Sequence, residues 1–538
     1  MFEHNTELIL NIVVGQSERC DEALYQMRAQ TLTTLWEEIS MIRLTKRSGV
    51  DEFALDHLSG IETGGLISRR ELLRRSAVFG AAATLGTFSG VLRAAAQTAG
   101  GKVTVGLDSG AFTPILQVFA PEFREATGLE VEFVSYPLGN MYDQNLLALR
   151  QGEARFDAFD FWPNFTGDFG PFLTPLEEVG TLADLGFDDI AAPFRLLNHY
   201  ENKLVGVMID GDMFVNTIRA DLFESGAEME AFKAKYGYDL AAPTNWQQYR
   251  DTAEFFTRPD QNLFGAVEVT NFFVYAFFIN QFVQLGAEKG VRYGDLFDEQ
   301  MKPRLNNEIG VEALNRYREV TKFMPQDLAA SMPWDVGRQI FFEGRVAQAN
   351  WWTDMPKGAA DPSISQVAKN IRVAKSWGDV TVLPYGRAMG IASNSPNKEG
   401  AFRAIAWMQQ SAQANRWVAE TFAQSLMDPW RMSMFNDPVS TFPLQSESGF
   451  ADNFAEVSKA ALSNPKAYLD ISIPGTNRYL GSIIQHTQRA VTGQATAEEA
   501  LAAMEAEWEE TTETFGRDRQ LGHYQEYVQR MVTAGYWT

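Results

Sequence analysis

Cysteine and histidine are scarce in this sequence, and their scarcity excludes several kinds of site. Of the 538 residues only Cys20 is a cysteine, so no disulfide can form within the chain and a cysteine-ligated zinc site is excluded. The chain has five histidines, and the spacing of His199, His486 and His523 is not that of metal ligands. We therefore expect neither a metal site nor a cofactor.

Basic residues are also fewer than acidic residues. The chain has 46 Lys and Arg against 69 Asp and Glu, which gives a formal net charge of −23. A surface this negative repels phosphate backbones, so nucleic-acid binding is not expected. Hydrophobic residues make up 45% of the chain and aromatic residues 12%, including 12 Trp and 38 Phe. This composition is typical of a protein with buried cores, and the aromatic excess favours a ligand with a flat apolar face.

The sequence contains no catalytic motif. G-x-S-x-G, the P-loop, H-E-x-x-H and G-x-G-x-x-G after a strand are all missing. Two carboxylate pairs need separate consideration as acid and base on a glycoside. Asp157 and Asp160, on one strand, are expected to point to opposite faces. Asp210 and Asp212 flank a glycine in a turn, too close together to bracket a glycosidic bond. We therefore expect a protein that is not an enzyme.

An apolar run at 77–92 is too short for a membrane span. It has about 16 residues, many of them Ala or Gly, where a bilayer needs about 20. Ser68-Arg69-Arg70 precedes it and Ala94-Ala95-Ala96 follows it, and this order resembles a twin-arginine signal peptide cut before Gln97. We interpret 68–96 as this signal, which predicts a periplasmic protein. The alternative is an amphipathic or membrane-anchored helix.

An N-terminal extension, 1–67, precedes the signal and is far longer than a usual basic leader. Either translation starts later, with Met41 as one candidate, or the extension is real. We leave 1–96 out of the fold prediction.

Strands and helices alternate in the remaining chain. The hydrophobic patterns predict strands at 102–107, 129–134 and 156–161, separated by helices at 112–127 and 141–150. Strands joined by helices of this length indicate βαβ units and a parallel sheet. The alternation recurs after residue 204, and a strongly acidic helix is predicted at 497–517. Without a linker, a chain of this length is expected to form two interleaved lobes.

Several segments, in order, resemble family 1 of the extracellular solute-binding proteins of ABC importers, the maltose-binding-protein-like group. The matching segments are 159–162 (FDFW), 200–207 (YENKLVGV), 210–212 (DGD), 219–223 (RADLF), 243–246 (PTNW), 341–347 (FFEGRVA), 394–401 (NSPNKEGA), 471–479 (ISIPGTNRY) and 492–501. The resemblance covers nearly all of 102–515. Two departures are visible. Tyr385-Gly386-Arg387 replaces the family's Gly-Gly or Gly-Trp and places a charge near the cleft, and the turn at 210–212 differs from the maltose-binding pattern, so the maltose ligand is not carried over.

The resemblance implies an α/β fold of the two-lobe periplasmic-binding-protein type II, with the ligand cleft between interleaved lobes. Lobe one is expected to contain 102–209 and 383–436, and lobe two 210–382 and 437–538. The implied function is the substrate-binding component of an ABC transporter, which captures a small solute, a sugar in the first instance, and delivers it to the transmembrane permease subunits. A monomer is expected.

The resemblance and the chemistry of sugars together predict the ligand-binding residues. Sugar rings bind aromatic platforms and rims of hydrogen-bonding groups. The predicted residues are Asp108, Trp162, Asp210, Asp212, Phe273, Trp351, Trp352 and Tyr479. Of the adjacent tryptophans, Trp351 is preferred for the cleft.

Other interpretations of these residues remain open. Core packing is the alternative role for Trp162, and capping of the turn is the alternative for the Asp pair. The acidic residues Asp108, Asp160, Asp210 and Asp212 would equally suit a polyamine or another cation. A secreted carbohydrate-active enzyme is the least favoured alternative.

Overall fold

A computed structural model describes residues 101–108, 113–137, 141–153, 155–292, 294–421, 427–443 and 449–537. All of them fall within the unit Thr84–Thr538. The predicted extension at 1–67, with Met41, and the predicted signal peptide at 68–96 lie outside the described residues.

The described chain forms thirteen strands. They are β1 Lys102–Asp108, β2 Glu130–Tyr136, β3 Ala158–Phe161, β4 His199–Tyr200, β5 Lys203–Leu204, β6 Gly206–Asp210, β7 Phe214–Arg219, β8 Phe264–Ala266, β9 Val346–Trp352, β10 Ile371–Lys375, β11 Thr381–Leu383, β12 Arg387–Ile391 and β13 Ala467–Leu469.

The same residues form seventeen α-helices. They are α1 Thr113–Thr127, α2 Met141–Arg150, α3 Thr166–Phe169, α4 Ala220–Phe223, α5 Gly226–Tyr236, α6 Trp246–Phe256, α7 Val274–Glu288, α8 Glu308–Val320, α9 Trp334–Phe342, α10 Asp354–Ala359, α11 Lys398–Gln409, α12 Ser411–Thr421, α13 Pro438–Thr441, α14 Phe450–Leu462, α15 Thr476–Val491, α16 Ala497–Phe515 and α17 Arg517–Thr533. Short 3-10 turns lie at Pro163–Phe165, Gly170–Phe172, Leu176–Glu178, Phe187–Asp189, Phe194–Leu196, Pro259–Gln261, Thr321–Phe323 and Met432–Phe435.

The first sheet has five strands in the order β2-β1-β3-β12-β6. β1 is parallel to β2 and to β3, as the βαβ pattern predicts. β12 is antiparallel to both β3 and β6, so the sheet is mixed and the expectation of a parallel sheet is wrong for this strand. The reason is the connection: β12 returns from the second sheet after a long excursion and is not reached through a helical crossover.

The second sheet has four strands in the order β10-β7-β9-β8. Only β8 and β9 form a parallel pair, and β7 is antiparallel to both of its neighbours. Beside this sheet α7 is apolar over most of its surface, and its residues from Val274 to Gly286 are all buried. A helix of that kind belongs inside a core. α7 packs against α8 and α15, which pack against α16.

The largest cluster of buried apolar side chains runs without interruption from the first sheet to the second. All strands of the first sheet come from 102–210 and 387–391, and those of the second from 214–375. The exact limits of the two lobes stay a prediction. Among the described helices none is both long enough and apolar enough to cross a bilayer.

The predicted C-terminal acidic helix, 497–517, corresponds to α16, which ends two residues earlier, and a further helix, α17, follows it. Gly516 separates them with φ 88° and ψ 110°, a conformation that glycine adopts without strain and that interrupts helical hydrogen bonding. The start of α16 is a capping box, in which Thr496 and Glu499 satisfy each other's backbone N–H groups.

Candidate functional site

Two short connections of the chain lie side by side, and we call them crossings. The first crossing, 211–213, joins β6 of the first sheet to β7 of the second. The second crossing, 384–386, joins β11, which pairs with β13 in a separate two-stranded sheet, to β12 of the first sheet. The N–H of Gly386 donates to Oδ2 of Asp212 at 3.0 Å, so a side chain of the first crossing binds the backbone of the second. Two short connections held side by side are the arrangement from which a hinge is made.

The second crossing has an unusual backbone conformation that a buried carboxylate supports. Tyr385 has φ 67°, a region disfavoured for a residue with a large side chain. The Tyr385 N–H donates to Oδ2 of Asp470 at 3.0 Å, and the Tyr275 hydroxyl donates to Oδ1 at 2.8 Å. Burial raises the pKa of Asp470 to about 7. Asp470 therefore holds the crossing in a conformation that the local chain would not choose.

Four aromatic side chains meet beside this crossing, and we call them the cleft aromatic group. Trp162 follows β3, Phe273 precedes α7, Trp352 ends β9 and Tyr385 belongs to the second crossing. Ring centroids lie 4.9 Å apart for Trp162 and Tyr385, 5.4 Å for Phe273 and Tyr385, and 5.7 Å for Phe273 and Trp352. Trp162 and Phe273 are 6.1 Å apart, so a ring carried by the first sheet faces rings carried by the second.

The cleft aromatic group lies at the ends of strands. β3 and β9 both finish at it, and open α/β sheets bind ligands at the carboxyl ends of their strands. Trp162, Trp352 and Tyr385 are buried, whereas Phe272, whose ring lies 6.2 Å from that of Trp162, is 46% exposed. The group is thus an apolar platform that opens to solvent past Phe272.

Two buried asparagines flank the aromatic residues in sequence. Asn164 follows Trp162 by two positions and is completely buried, and neither polar atom of its side chain has a hydrogen-bond partner among the described residues. Asn271 precedes Phe273 by two positions, and its Oδ1 is likewise buried and without a partner there. Buried amides are normally satisfied, so these side chains have hydrogen-bonding capacity left for a polar ligand.

Carboxylates cluster at the first crossing. Oxygens of Asp210, Asp212 and Asp428 all lie within 4.8 Å of one another. Oδ1 of Asp210 accepts from the Asp428 N–H at 2.5 Å, and Nζ of the buried Lys357 is 2.5 Å from Oδ1 of Asp428. Three carboxylates suit a hard cation, but the Lys357 ammonium already supplies positive charge here.

The pKa values in this cluster follow from burial and from like charge. Burial first, and then the charge of Asp428, raise the pKa of Asp210 to about 8. Burial, followed by the charges of Asp210 and Asp428, raises the pKa of Asp212 well above its usual value. Asp210 is therefore mostly protonated at neutral pH, and the cluster is much less negative than its composition suggests.

Arg387, which departs from the family pattern, forms an ion pair within the first sheet. Nη1 of Arg387 lies 2.9 Å from Oδ2 of Asp160, and both side chains are buried. The hydroxyl of Tyr136 also donates to the Asp160 carboxylate. The charge of Arg387 is thus compensated inside the sheet.

The segment after Trp162 contacts the residues that lead into α15. The N–H of Gly475, which caps α15, donates to Oδ1 of Asp168 at 2.6 Å. A Cβ on Gly167 would lie 2.1 Å from the carbonyl carbon of Ile473, so only glycine allows this approach. Burial raises the pKa of Asp168.

The structure gathers some of the predicted ligand residues and separates others. Trp162, Phe273 and Trp352 belong to the cleft aromatic group, with Asp210 and Asp212 at the adjoining crossing. Asp108 ends β1, and the structure describes its backbone only.

Two predicted residues lie elsewhere. Trp351, the preferred tryptophan of the pair, is fully buried against Phe277, and Trp352 is the one that contacts Tyr385. Tyr479 is fully buried between α15 and α16, where its hydroxyl is 2.9 Å from that of Thr512.

Sequence reasoning missed Tyr385, Asn164, Asn271 and Asp470 as members of the candidate site. A signal existed for three of them. Tyr385 stands in the triplet that departs from the family pattern, Asn164 lies two positions beyond Trp162, and Asn271 lies two positions before Phe273. Asp470 carries no local signal, because only the tertiary fold brings it to the second crossing.

A model of the bacterial extracellular solute-binding proteins matches residues 109–415 of this chain. The chain belongs to this family. It is a solute-binding protein of the kind that serves ABC transporters.

Individual relatives agree with this assignment. A probable amino-acid ABC transporter periplasmic-binding protein of Sinorhizobium fredii is 27% identical over 360 residues, 62% of this chain and 77% of the relative. A solute-binding protein of Agrobacterium vitis with bound D-mannitol superimposes with a TM-score of 0.62 at 18% identity, over 77% of this chain and 99% of that one. Maltose-bound MalE3 of T. maritima gives 0.60 at 18% identity, over 76% and 99%. At these identities the solved structures establish the two-lobe fold alone.

Proposed function

We propose that this solute-binding protein captures a sugar or polyol in the cleft and delivers it, in the periplasm, to the transmembrane subunits of an ABC permease. One observation carries the choice of ligand: the aromatic platform stands next to buried asparagine amides that have no partners among the described residues. An aromatic face with unmet donors and acceptors beside it complements a ligand that has an apolar face and a rim of hydroxyls. Neighbouring structures with D-mannitol, ribitol and maltose have the same fold.

In this proposal Trp162, Phe273 and Trp352 stack on the solute, joined by Tyr385. Asp212 and Asp108 are the acidic side chains proposed to hydrogen-bond its hydroxyls. The protein acts as a monomer, and it binds without catalysis, so that the solute is recovered unchanged after long incubation.

Electrostatics argue against the alternative of a polyamine. Binding several ammonium groups would need uncompensated carboxylates. The carboxylate of Asp160 is paired with Arg387, and the raised pKa of Asp210 leaves that side chain mostly neutral at pH 7.

Thermal-shift screening of the purified protein against sugars, polyols, polyamines and amino acids tests the ligand class. A solute at 100 times its dissociation constant stabilises the protein by about 2.7 kcal/mol. Stabilisation by polyols or sugars supports the proposal, and stabilisation confined to polyamines or to amino acids contradicts it.

The position of the cleft has its own test. Trp162→Ala removes a large apolar platform and should weaken binding by about 1.5–3 kcal/mol. Trp334→Ala is the matched control, because Trp334 is half-buried on α9, where its ring faces Arg338. Equal affinity in the two variants, measured by calorimetry, would show that the solute binds elsewhere.

A further inference from the structure

A second cavity lies apart from the cleft aromatic group. It has a volume of about 760 Å³ and opens between the last helix, α17, and the segment that leads into β6. Leu196 and Asn202 contribute from that segment, and Gly522, Gln529 and Arg530 from the helix. This volume is within the range of sites for small organic ligands. None of the residues assigned to the cleft lines it.

Arg530 gives this cavity a charge that the protein does not neutralise. Its Nε and Nη1 are buried and have no hydrogen-bond partner within the described part of the chain. Burial lowers the pKa of Arg530, and Glu526 opposes that effect. No carboxylate oxygen in the described residues lies within ion-pair distance of the guanidinium. Arg530 is half-buried, and a guanidinium that has lost part of its hydration without gaining an anion is costly, because Arg keeps its charge at any physiological pH.

The surroundings of Arg530 are consistent with an unneutralised positive charge. His199 lies close enough that Arg530 contributes, after burial, to lowering the pKa of its imidazole to about 4. His199 is therefore neutral at pH 7, and its Nδ1 is already 2.8 Å from the carbonyl oxygen of Leu197. The neighbouring imidazole thus adds no competing charge to the cavity.

We propose that this cavity is a second ligand site, which takes a small organic monocarboxylate. The carboxylate would pair with Arg530, and amide groups of Asn202 and Gln529 would share its oxygens. Leu196 and Val528 supply an apolar wall for the remainder of the molecule. Glu526 also lines the cavity, so a ligand with a second negative charge would be repelled.

The test uses benzoate as the probe and benzamide as its uncharged counterpart, with calorimetry on the full chain. Benzoate should bind the wild type, and benzamide at least tenfold more weakly. Arg530→Gln should weaken benzoate binding at least tenfold. Arg519→Gln is the matched control, because Arg519 is an exposed arginine of the same helix and lies outside the cavity lining.

A second variant narrows the cavity without touching the charge. Gly522 lies in α17, and a Cβ placed on it meets no atom within 4 Å. Gly522→Leu should therefore fold at least as well as the wild type, since leucine favours helix, and should weaken benzoate binding. Failure of the wild type to bind benzoate overturns the proposal, as does undiminished binding in either the Arg530→Gln or the Gly522→Leu variant. The thermal-shift screen that tests the cleft is a separate measurement, so either proposal can be contradicted without affecting the other.

Discussion

At the scale of single residues, the buried side-chain amides of Asn164 and Asn271 differ in their hydrogen bonding from amides that stabilise the fold. A side chain that stabilises the fold has its polar atoms paired, as Asn453 does: its Oδ1 accepts from the Val373 N–H at 2.8 Å, and its Nδ2 donates to the Val373 carbonyl at 3.0 Å. Asn164 has neither bond within the described chain. An unsatisfied buried amide is a cost in the free protein, and the proposed solute would remove that cost.

The first prediction compares Asn164 with Asn453. Asn164→Leu keeps the size of the side chain and removes an unsatisfied group, so the ligand-free melting temperature should stay the same or rise. Affinity for the solute should fall by about 0.5–1.5 kcal/mol for each hydrogen bond lost. Asn453→Leu should do the opposite, lowering the melting temperature and leaving affinity intact. Calorimetry and melting curves on both variants give the answer, and a lower ligand-free melting temperature for the Asn164 variant would assign that residue to the fold.

The second prediction concerns a buried acid of the second sheet. Burial raises the pKa of Glu268 to about 8, and its Oε1 accepts from the Tyr249 hydroxyl at 3.1 Å. The folded state therefore binds a proton that the unfolded state, with a pKa near 4.5, releases. Stability from this group is full below pH 4.5 and is lost as the pH rises toward 8.

Glu268→Gln imitates the protonated acid, so it should match the wild type at pH 5 and be more stable at pH 8, by on the order of 1 kcal/mol or more. Urea unfolding at the two pH values measures the difference. The exposed Glu299→Gln serves as the control and should show none. If the Glu268→Gln variant is less stable than the wild type at pH 8, Glu268 is ionised in the folded protein.

At the scale of elements, the two crossings are the proposed hinge about which the two sheets would move. Asp212 joins them through the Gly386 N–H, and Asp470 holds Tyr385 within the second crossing. The same Tyr385 belongs to the cleft aromatic group, so the geometry of the hinge and that of the ligand platform are not independent.

The third prediction removes the bond between the crossings. Asp212→Ala deletes the acceptor of the Gly386 N–H and also the proposed contact with a solute hydroxyl, so the affinity for solute should fall by about 1 kcal/mol for each bond lost. Asp212→Asn keeps an oxygen in the same place and should restore most of this loss. If the Asn variant is as weak as the Ala variant, the carboxyl group of Asp212 matters to the ligand directly and the link between crossings matters little.

Much of the order of elements could be predicted from the sequence. The strands at β1, β2, β3 and β9 and the helices at α2 and α6 follow from local periodicity, because apolar side chains recur with the period of each element. The antiparallel placement of β12 could not be predicted in that way, since strand order depends on contacts between residues far apart in the chain. The end of α16 was predicted two residues too late, and α17 was not predicted.

The candidate site was only partly predictable for the same reason. Motif position assigned Trp162, Phe273 and Trp352 to one site, and their rings lie close together in the structure. It did not show that the side chain of Trp351 turns toward Phe277 or that Tyr479 packs between two helices. Side-chain direction at the end of a strand depends on register, and register is decided by pairing with β7.

At the scale of the whole molecule, the proposed site of action is the periplasm, and the proposed signal at 68–96 accounts for how the chain gets there. Arg69 and Arg70 are the pair expected to direct export. A second pair, Arg74 and Arg75, stands a few positions later in the same segment. The second pair therefore provides a control within the same proposed signal peptide.

The fourth prediction uses both pairs. Replacing Arg69 and Arg70 with Lys should leave the precursor in the cytoplasm, because the twin-arginine route recognises that pair. Replacing Arg74 and Arg75 with Lys keeps every charge and should leave export unchanged. Cell fractionation separates the two results, and N-terminal sequencing of the periplasmic wild type should begin at Gln97. A periplasmic chain that still begins at Met1 would contradict the proposed signal.

The place of β12 between β3 and β6 governs when this protein can finish folding. Until β12 has been made, β3 and β6 each present an unpaired edge, which is prone to wrong pairing. About 180 residues separate the end of β6 from the end of β12, and a ribosome adding 5–20 residues per second needs on the order of ten to forty seconds for them. Through that interval the first sheet lacks the strand that joins β3 to β6. A chain with so late a closure would gain from completing its folding in the cytoplasm, under chaperones, before the proposed export.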